Sequence, residues 1–133
     1  MELFTIGYEG RTVPELIAVL TRHAITRVID VRELPLSRRK GMSKTALAAA
    51  LAAAGIDYVH LRTAGNPFRK AGGLTRYRTY LAGAPDVVDL VAATARGHRA
   101  ALLCVERDPA QCHRGVLAAE VTRRHAGTTI ANL

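Results

Sequence analysis

The sequence contains no tryptophan and two cysteines in 133 residues. Two cysteines cannot make a disulfide framework, so the chain is expected in a reducing compartment. No apolar run approaches the roughly 18 residues of a membrane span, and no basic, apolar, small-residue leader precedes the first strand-like segment. Internal repeats and low-complexity linkers are also missing, as is the GxxxxGK[ST] spacing of a P-loop. A single α/β domain spanning residues 1–133, soluble and cytoplasmic, is the expectation; this length suffices for an ordinary hydrophobic core. The sequence names no cofactor and sets no oligomeric state.

Lysine and acids are scarce, with three lysines, sixteen arginines and eleven acids giving a net charge of +8. The excess is concentrated. Residues 32–44 carry Arg32, Arg38, Arg39, Lys40 and Lys44 against Glu33, and residues 62–78 carry Arg62, Arg69, Lys70, Arg76 and Arg78 with no acid. The remainder is close to neutral. Genome composition explains arginine over lysine but not this clustering, which suits an anionic ligand such as a nucleic acid, a nucleotide or another phosphorylated compound.

Along the chain, Leu3-Phe4-Thr5-Ile6 reads as a buried strand ending at Gly7-Tyr8-Glu9-Gly10. Thr12 and Glu15 have capping-box spacing, opening a helix to about His23. Residues 27–32, 56–61 and 99–105 read as three further strands, and 128–133 as a closing one. Helices are expected at 44–54, with Ser43 as N-cap, at 74–81, and at 86–96, with Val87, Leu90 and Val91 inward. Asp108, Pro109 and Gln111 carry helix-start signals, which places another helix from there to about His125. Residues 62–73 read as loop. Short strands alternating with helices predict a three-layer α/β fold whose mainly parallel sheet has about five strands.

In such sheets ligands bind beyond the carboxyl ends of the strands. Those ends deliver Tyr8, Asp30 and Arg32, His60, then Cys104 and Glu106, while Cys112-His113-Arg114 follows in the next helix. The positive end of that helix favours a thiolate at Cys112, a nucleophile with Glu106 or His60 as proton carrier; packing as a small apolar group is the competing use of this cysteine. Cys104 reads as core. Cys104, Cys112, His113 and His60 are also metal-ligand types, but seven residues between the cysteines is not the short pair of a zinc site, so no metal site is expected. Asp30–Arg114 or Glu106–Arg32 could be structural ion pairs, or one of these arginines could grip phosphate. The flexible loop with Ser37, Arg38, Arg39 and Lys40 is the better anion binder, and Tyr77 and Tyr80 beside Arg76 and Arg78 could stack on bases.

Taken in order, Thr5-Ile6-Gly7-Tyr8-Glu9-Gly10, Asp30-Val31-Arg32 with Pro35 and Ser37, Gly41-Met42-Ser43-Lys44, and Cys104-x-Glu106 with Cys112-His113-Arg114 resemble the domain-of-unknown-function family 488. The likeness extends to Tyr58-Val59-His60-Leu61, Gly65-Asn66-Pro67 and Tyr77 to Leu81. Met42 stands where the family pattern usually has an aromatic. The resemblance implies a small cytoplasmic α/β protein, sometimes labelled as DNA-repair related, and a shared site at Tyr8, Asp30, Arg32, Glu106, Cys112, His113 and Arg114. The resulting expectation is an enzyme on a nucleic acid, nucleotide or other phosphorylated substrate. Glu106, Cys112, His113, Asp30 and Tyr8 would do the chemistry, and Arg32, Ser37, Arg38, Arg39, Lys40, Arg114, His60 and Asn66 would hold the substrate. The rivals are a non-catalytic nucleic-acid-binding module with a structural Cys-Glu-His-Arg cluster and a redox or metal-dependent protein.

Overall fold

The computed structural model describes residues 1–68 and 73–133. Four positions of the expected 62–73 loop, Arg69 and Lys70 among them, lie outside the described residues. The chain runs β1 (Glu2–Gly7), α1 (Val13–Arg22), β2 (Arg27–Asp30), α2 (Lys44–Ala53), β3 (Asp57–His60), α3 (Gly73–Ala82), α4 (Pro85–Ala95), β4 (Ala100–Cys104), α5 (His113–Arg124) and β5 (Thr129–Asn132). Short 3-10 turns at Arg62–Ala64 and Pro109–Gln111 complete it.

All five strands are parallel, in the order β3-β2-β4-β1-β5. A parallel sheet must be covered on both faces because its crossovers are helices. β4 lies at the centre, and its Ala100-Ala101-Leu102-Leu103-Cys104 run is buried throughout. Its side chains alternate. Ala100, Leu102 and Cys104 pack with α3, α4 and α5, while Ala101 and Leu103 pack with α1 and α2. The chain is therefore an α/β fold of three layers.

The expected caps are present where they matter for the strand ends. Thr12 Oγ1 accepts from the Glu15 N–H at 3.3 Å and Glu15 Oε1 accepts from the Thr12 N–H at 2.9 Å, so α1 starts with a closed capping box. Ser43 sits at the N-cap of α2 but makes no side-chain cap bond; its hydroxyl serves the preceding loop instead.

Three expectations need correction. α4 buries Val88, Val91, Ala92 and Ala95, a stripe at helical spacing that turns Leu90 out to 45% exposure. Tyr77 is fully buried, its hydroxyl donating to the Ala64 carbonyl at 2.6 Å, so it cannot stack on a base. Finally, Asp108 caps only the short 3-10 turn, its carboxylate accepting from the Ala110 N–H at 2.9 Å. α5 begins at His113 with Cys112 as N-cap in extended backbone. The start signals were real but belonged to a separate turn.

The neighbouring strands β1 and β4 are followed by helices on opposite faces, α1 on one and α5 on the other. Their outgoing loops part there, which is where an open α/β sheet forms a crevice.

Candidate functional site

The site is built around the end of β2. Asp30 and Arg32 are two residues apart in extended chain, so both side chains take the face opposite Val31. Arg32 Nε donates to Asp30 Oδ1 at 2.9 Å and Nη2 to Oδ2 at 2.7 Å, a two-pronged pair closed further by the Arg32 N–H to Oδ1 at 3.2 Å. Tyr58 on β3 donates its hydroxyl to Oδ2 as well. Burial first, then the Asp30 carboxylate, pushes the Tyr58 phenol above its ordinary pKa. Arg32 Nη1 donates to the Met42 carbonyl at 2.7 Å, and its guanidinium lies 5.4 Å from the centre of the buried Tyr8 ring. Asp30 is fully buried and Arg32 is 2% exposed. Four donors thus converge on the two Asp30 oxygens, and the pair is shut away from solvent.

The ion pairs expected from sequence are thus replaced by Asp30–Arg32. Arg114 is also fully buried but faces no carboxylate. Its guanidinium donates to the Glu106 and Arg107 carbonyls, the latter at 3.1 Å. It ties the loop after β4 to α5.

On the other face of the sheet lies a cluster of different chemistry. Cys104 ends β4, Cys112 caps α5, and His113 is the first residue of α5. His113 Nε2 lies 2.6 Å from the Val31 carbonyl, which can only accept, so Nε2 carries the proton and the Nδ1 lone pair points away. It points at the two sulfurs, 3.4 Å from Cys104 Sγ and 3.9 Å from Cys112 Sγ. The imidazole packs edge-to-face on Tyr77 with ring centres 5.1 Å apart. Glu106 Oε2 lies 3.8 Å from Cys104 Sγ, and this carboxylate, half-buried, is the outermost member.

The thiols share one environment unequally. The adjoining Cys104 thiol, and then the His113 imidazole, draw the Cys112 pKa far below the usual thiol value. Cys104 is raised well above that value by its bond to Cys112, by burial and by the Glu106 carboxylate. Glu106 is itself raised, by burial first and then by Cys112.

Val31 therefore divides the residues expected to form one site. Its carbonyl meets His113, while its neighbours Asp30 and Arg32 face Tyr8 and Tyr58. His60 joins the second group by donating Nε2–H to the Arg32 carbonyl at 2.7 Å. The two clusters adjoin across the carboxyl ends of β2 and β4, one of ion pair and phenols, the other of thiols, imidazole and carboxylate.

The basic loop stands apart from both. Ser37 is spent on its own segment: its N–H donates to Ser43 Oγ at 3.1 Å and its Oγ accepts from the Arg39 N–H at 3.0 Å. Arg39 Nη1 donates to the Arg11 carbonyl at 3.2 Å, which lays the loop over the start of α1. Arg38, Arg39 and Lys40 are exposed. Arg39 and Lys40 line a groove of about 600 Å³ with Thr12, Pro14, Ala46 and Ala50. Asn66 is buried and shapes its own turn, Oδ1 accepting from the Phe68 N–H at 2.9 Å.

Sequence reading missed Tyr58 as a partner of Asp30; Cys104 lies in the core as expected, but its sulfur also meets His113. Tyr58 left no local signal, since only the β2–β3 pairing brings it to Asp30. Cys104 did leave one: it stands two residues before Glu106 at a strand end, so both belong to one face of the chain's exit. The seven residues separating the cysteines, which argued against a zinc site, form the loop and 3-10 turn that fold α5 back onto β4.

No curated protein and no solved structure matches the chain. One family model does, that of "Domain of unknown function DUF488", over residues 12–121. The matched span begins after Tyr8 and includes every other residue of the two clusters. On that match, over most of its length, the chain belongs to the DUF488 family.

Proposed function

We propose that this protein is an enzyme acting on a nucleic acid, nucleotide or other phosphorylated substrate at the carboxyl ends of its strands. The observation that carries this reading is the convergence of Cys104, Glu106, Cys112 and His113, from a strand end, a loop and a helix start, beside the switch between β4 and β1. A half-buried carboxylate with a raised pKa beside a thiol with a lowered one supports this reading, because such shifts gather at working sites. Glu106 is the proton carrier, because it is the most exposed of the four. Cys112 and His113 form the reacting centre. Arg38, Arg39 and Lys40 draw the anion in, and Asp30, Arg32, Tyr8 and Arg114 hold the strand ends and loops in place.

The test is turnover of a panel of nucleotides, phosphomonoesters and short single- and double-stranded oligonucleotides. Glu106→Gln is expected to lower kcat/KM by about 100-fold or more, the usual loss for a proton-transfer group, and Cys112→Ser at least as much. Wild-type protein that turns over nothing in the panel, or variants that match it, would refute the assignment.

A second reading, binding without chemistry, draws on one observation: Cys112 is only 1% exposed while the basic loop is open to solvent. In both readings Arg38→Glu with Lys40→Glu is expected to weaken oligonucleotide binding and flatten its salt dependence by about one slope unit per cation lost. Binding without turnover selects the second reading.

A further inference from the structure

We infer that Cys104, Cys112 and His113 form a binding site for a zinc-class divalent cation, with its open side towards Glu106. The inference stands on the geometry of these three side chains and does not depend on the substrate class proposed above.

The donor atoms of the three residues all lie within 4.8 Å of one another, and all three residues are buried. Zinc held tetrahedrally at about 2.3 Å from sulfur and about 2.0 Å from nitrogen places its sulfur and nitrogen donors about 3.5 Å apart. The sulfur-to-Nδ1 separations here are 3.4 and 3.9 Å. Two edges of one face of such a tetrahedron are therefore already close to the required length, and the two sulfurs lie within 4.8 Å of each other.

The histidine is prepared as a ligand. Metal-binding imidazoles characteristically donate their second ring N–H to a carbonyl or carboxylate, which fixes the tautomer and aims the other nitrogen. His113 does this through Nε2 to the Val31 carbonyl at 2.6 Å. The ring is held again by Tyr77, whose own hydroxyl is bound to Ala64. A histidine that merely filled space would not need its remaining lone pair directed between two thiols.

The supports are rigid elements. Cys104 is the last residue of the central strand, and Cys112 and His113 open α5. Thiolate and imidazole donors select zinc-class ions over magnesium or calcium, which prefer oxygen. Three protein donors leave a fourth position, as in catalytic zinc sites, whereas a structural site closes with four. Glu106, with Oε2 3.8 Å from Cys104 Sγ and part of its surface in solvent, is the group beside that position. With the ion bound, Cys112 is a ligand and Glu106 handles protons at the opening.

The experiment is metal analysis of the full-length protein purified without chelator, followed by zinc titration of chelator-stripped protein and by cobalt(II) substitution. Wild type is expected to retain about one zinc per chain, to bind added zinc with an apparent dissociation constant below about 1 μM, and to give the intense visible and near-ultraviolet bands of cobalt bound to thiolate in a tetrahedral site. Cys104→Ser, Cys112→Ser and His113→Gln should each weaken zinc binding by at least about 100-fold. Glu106→Gln should keep the metal. Because loss of a buried cysteine can also disturb folding, the wild-type titration decides by itself: folded wild type that neither retains nor takes up zinc overturns the site. Undiminished binding in folded cysteine variants overturns it too. Metal held without turnover supports the site and counts against the enzyme reading, and turnover unchanged in zinc-free protein does the reverse.

Discussion

Asp30→Ala is expected to destabilise the protein by about 3–5 kcal/mol, the usual cost of breaking a buried ion pair from one side. The loss comes from Arg32. Its guanidinium is buried and makes two of its three hydrogen bonds with Asp30, so removing the carboxylate leaves a cation in the interior with one carbonyl, that of Met42, and a nearby phenol ring. Tyr58 loses its partner in the same step. Urea unfolding followed by circular dichroism measures the effect. The double variant Asp30→Ala with Arg32→Met should recover much of it, since the stranded charge is then gone and apolar volume takes its place. Tyr58→Phe should cost only about 1 kcal/mol, the worth of one hydrogen bond. An Asp30→Ala protein within about 1 kcal/mol of wild type would show that the pair is not what holds the end of β2. The distinction bears on function, because an Asp30 lost for stability alone should remove activity only in proportion to the unfolded fraction.

Gly7→Ala is the second large effect. Gly7 is the last residue of β1, and the chain leaving β4 passes directly over it. A Cβ there would overlap the Glu106 carbonyl oxygen, come within 2.5 Å of the carbonyl carbon and reach 2.9 Å from Arg107 Cα. These are backbone atoms, which cannot swing aside as a side chain does. The same stretch supplies the acceptors for Arg114 and is fastened to β1 beyond the strand, with the Tyr8 N–H donating to the Cys104 carbonyl at 3.1 Å and the Glu9 N–H to Val105 at 2.9 Å. Relief of the overlap must lift residues 105–107 and break that lattice. The expected cost is about 3 kcal/mol or more, at the upper end of the range for overpacking. Chemical denaturation checks the magnitude. If the variant folds, zinc binding reports the local change separately, because lifting Glu106 leaves Cys104, Cys112 and His113 on their own elements. A Gly7→Ala protein as stable as wild type would mean that the loop after β4 yields freely.

Much of the architecture could be read from local pattern. The unbroken apolar run at 100–104 announced a strand covered on both faces, and Thr12 with Glu15 marked the start of α1, because capping and burial depend on residues near in sequence. Leu90 and the start of α5 were misread for a related reason. Within α4 several apolar stripes are available, and only the position of the sheet selects Val88, Val91, Ala92 and Ala95. At Asp108 the cap signals were satisfied by one turn of 3-10 helix, and a second start followed at Cys112. The candidate site was legible as a set of residue types at strand ends, but its internal partnerships were not. Sequence left open an Asp30–Arg114 or a Glu106–Arg32 pair, or an arginine gripping phosphate, whereas alternation along β2 places Asp30 and Arg32 side by side.

The sequence by itself determined the α/β class, the alternation of strands and helices, the concentration of cations in two segments and the arrival of reactive groups at strand ends. All of these follow from composition and short-range periodicity. Tertiary structure alone decided the strand order, the division of the polar groups between the two faces of β2, and the meeting of Cys104 with Cys112 and His113. Those outcomes rest on parallel pairing between distant segments and on the return of α5 across the sheet, where contacts are set by register and crossover and leave no trace in neighbouring residues.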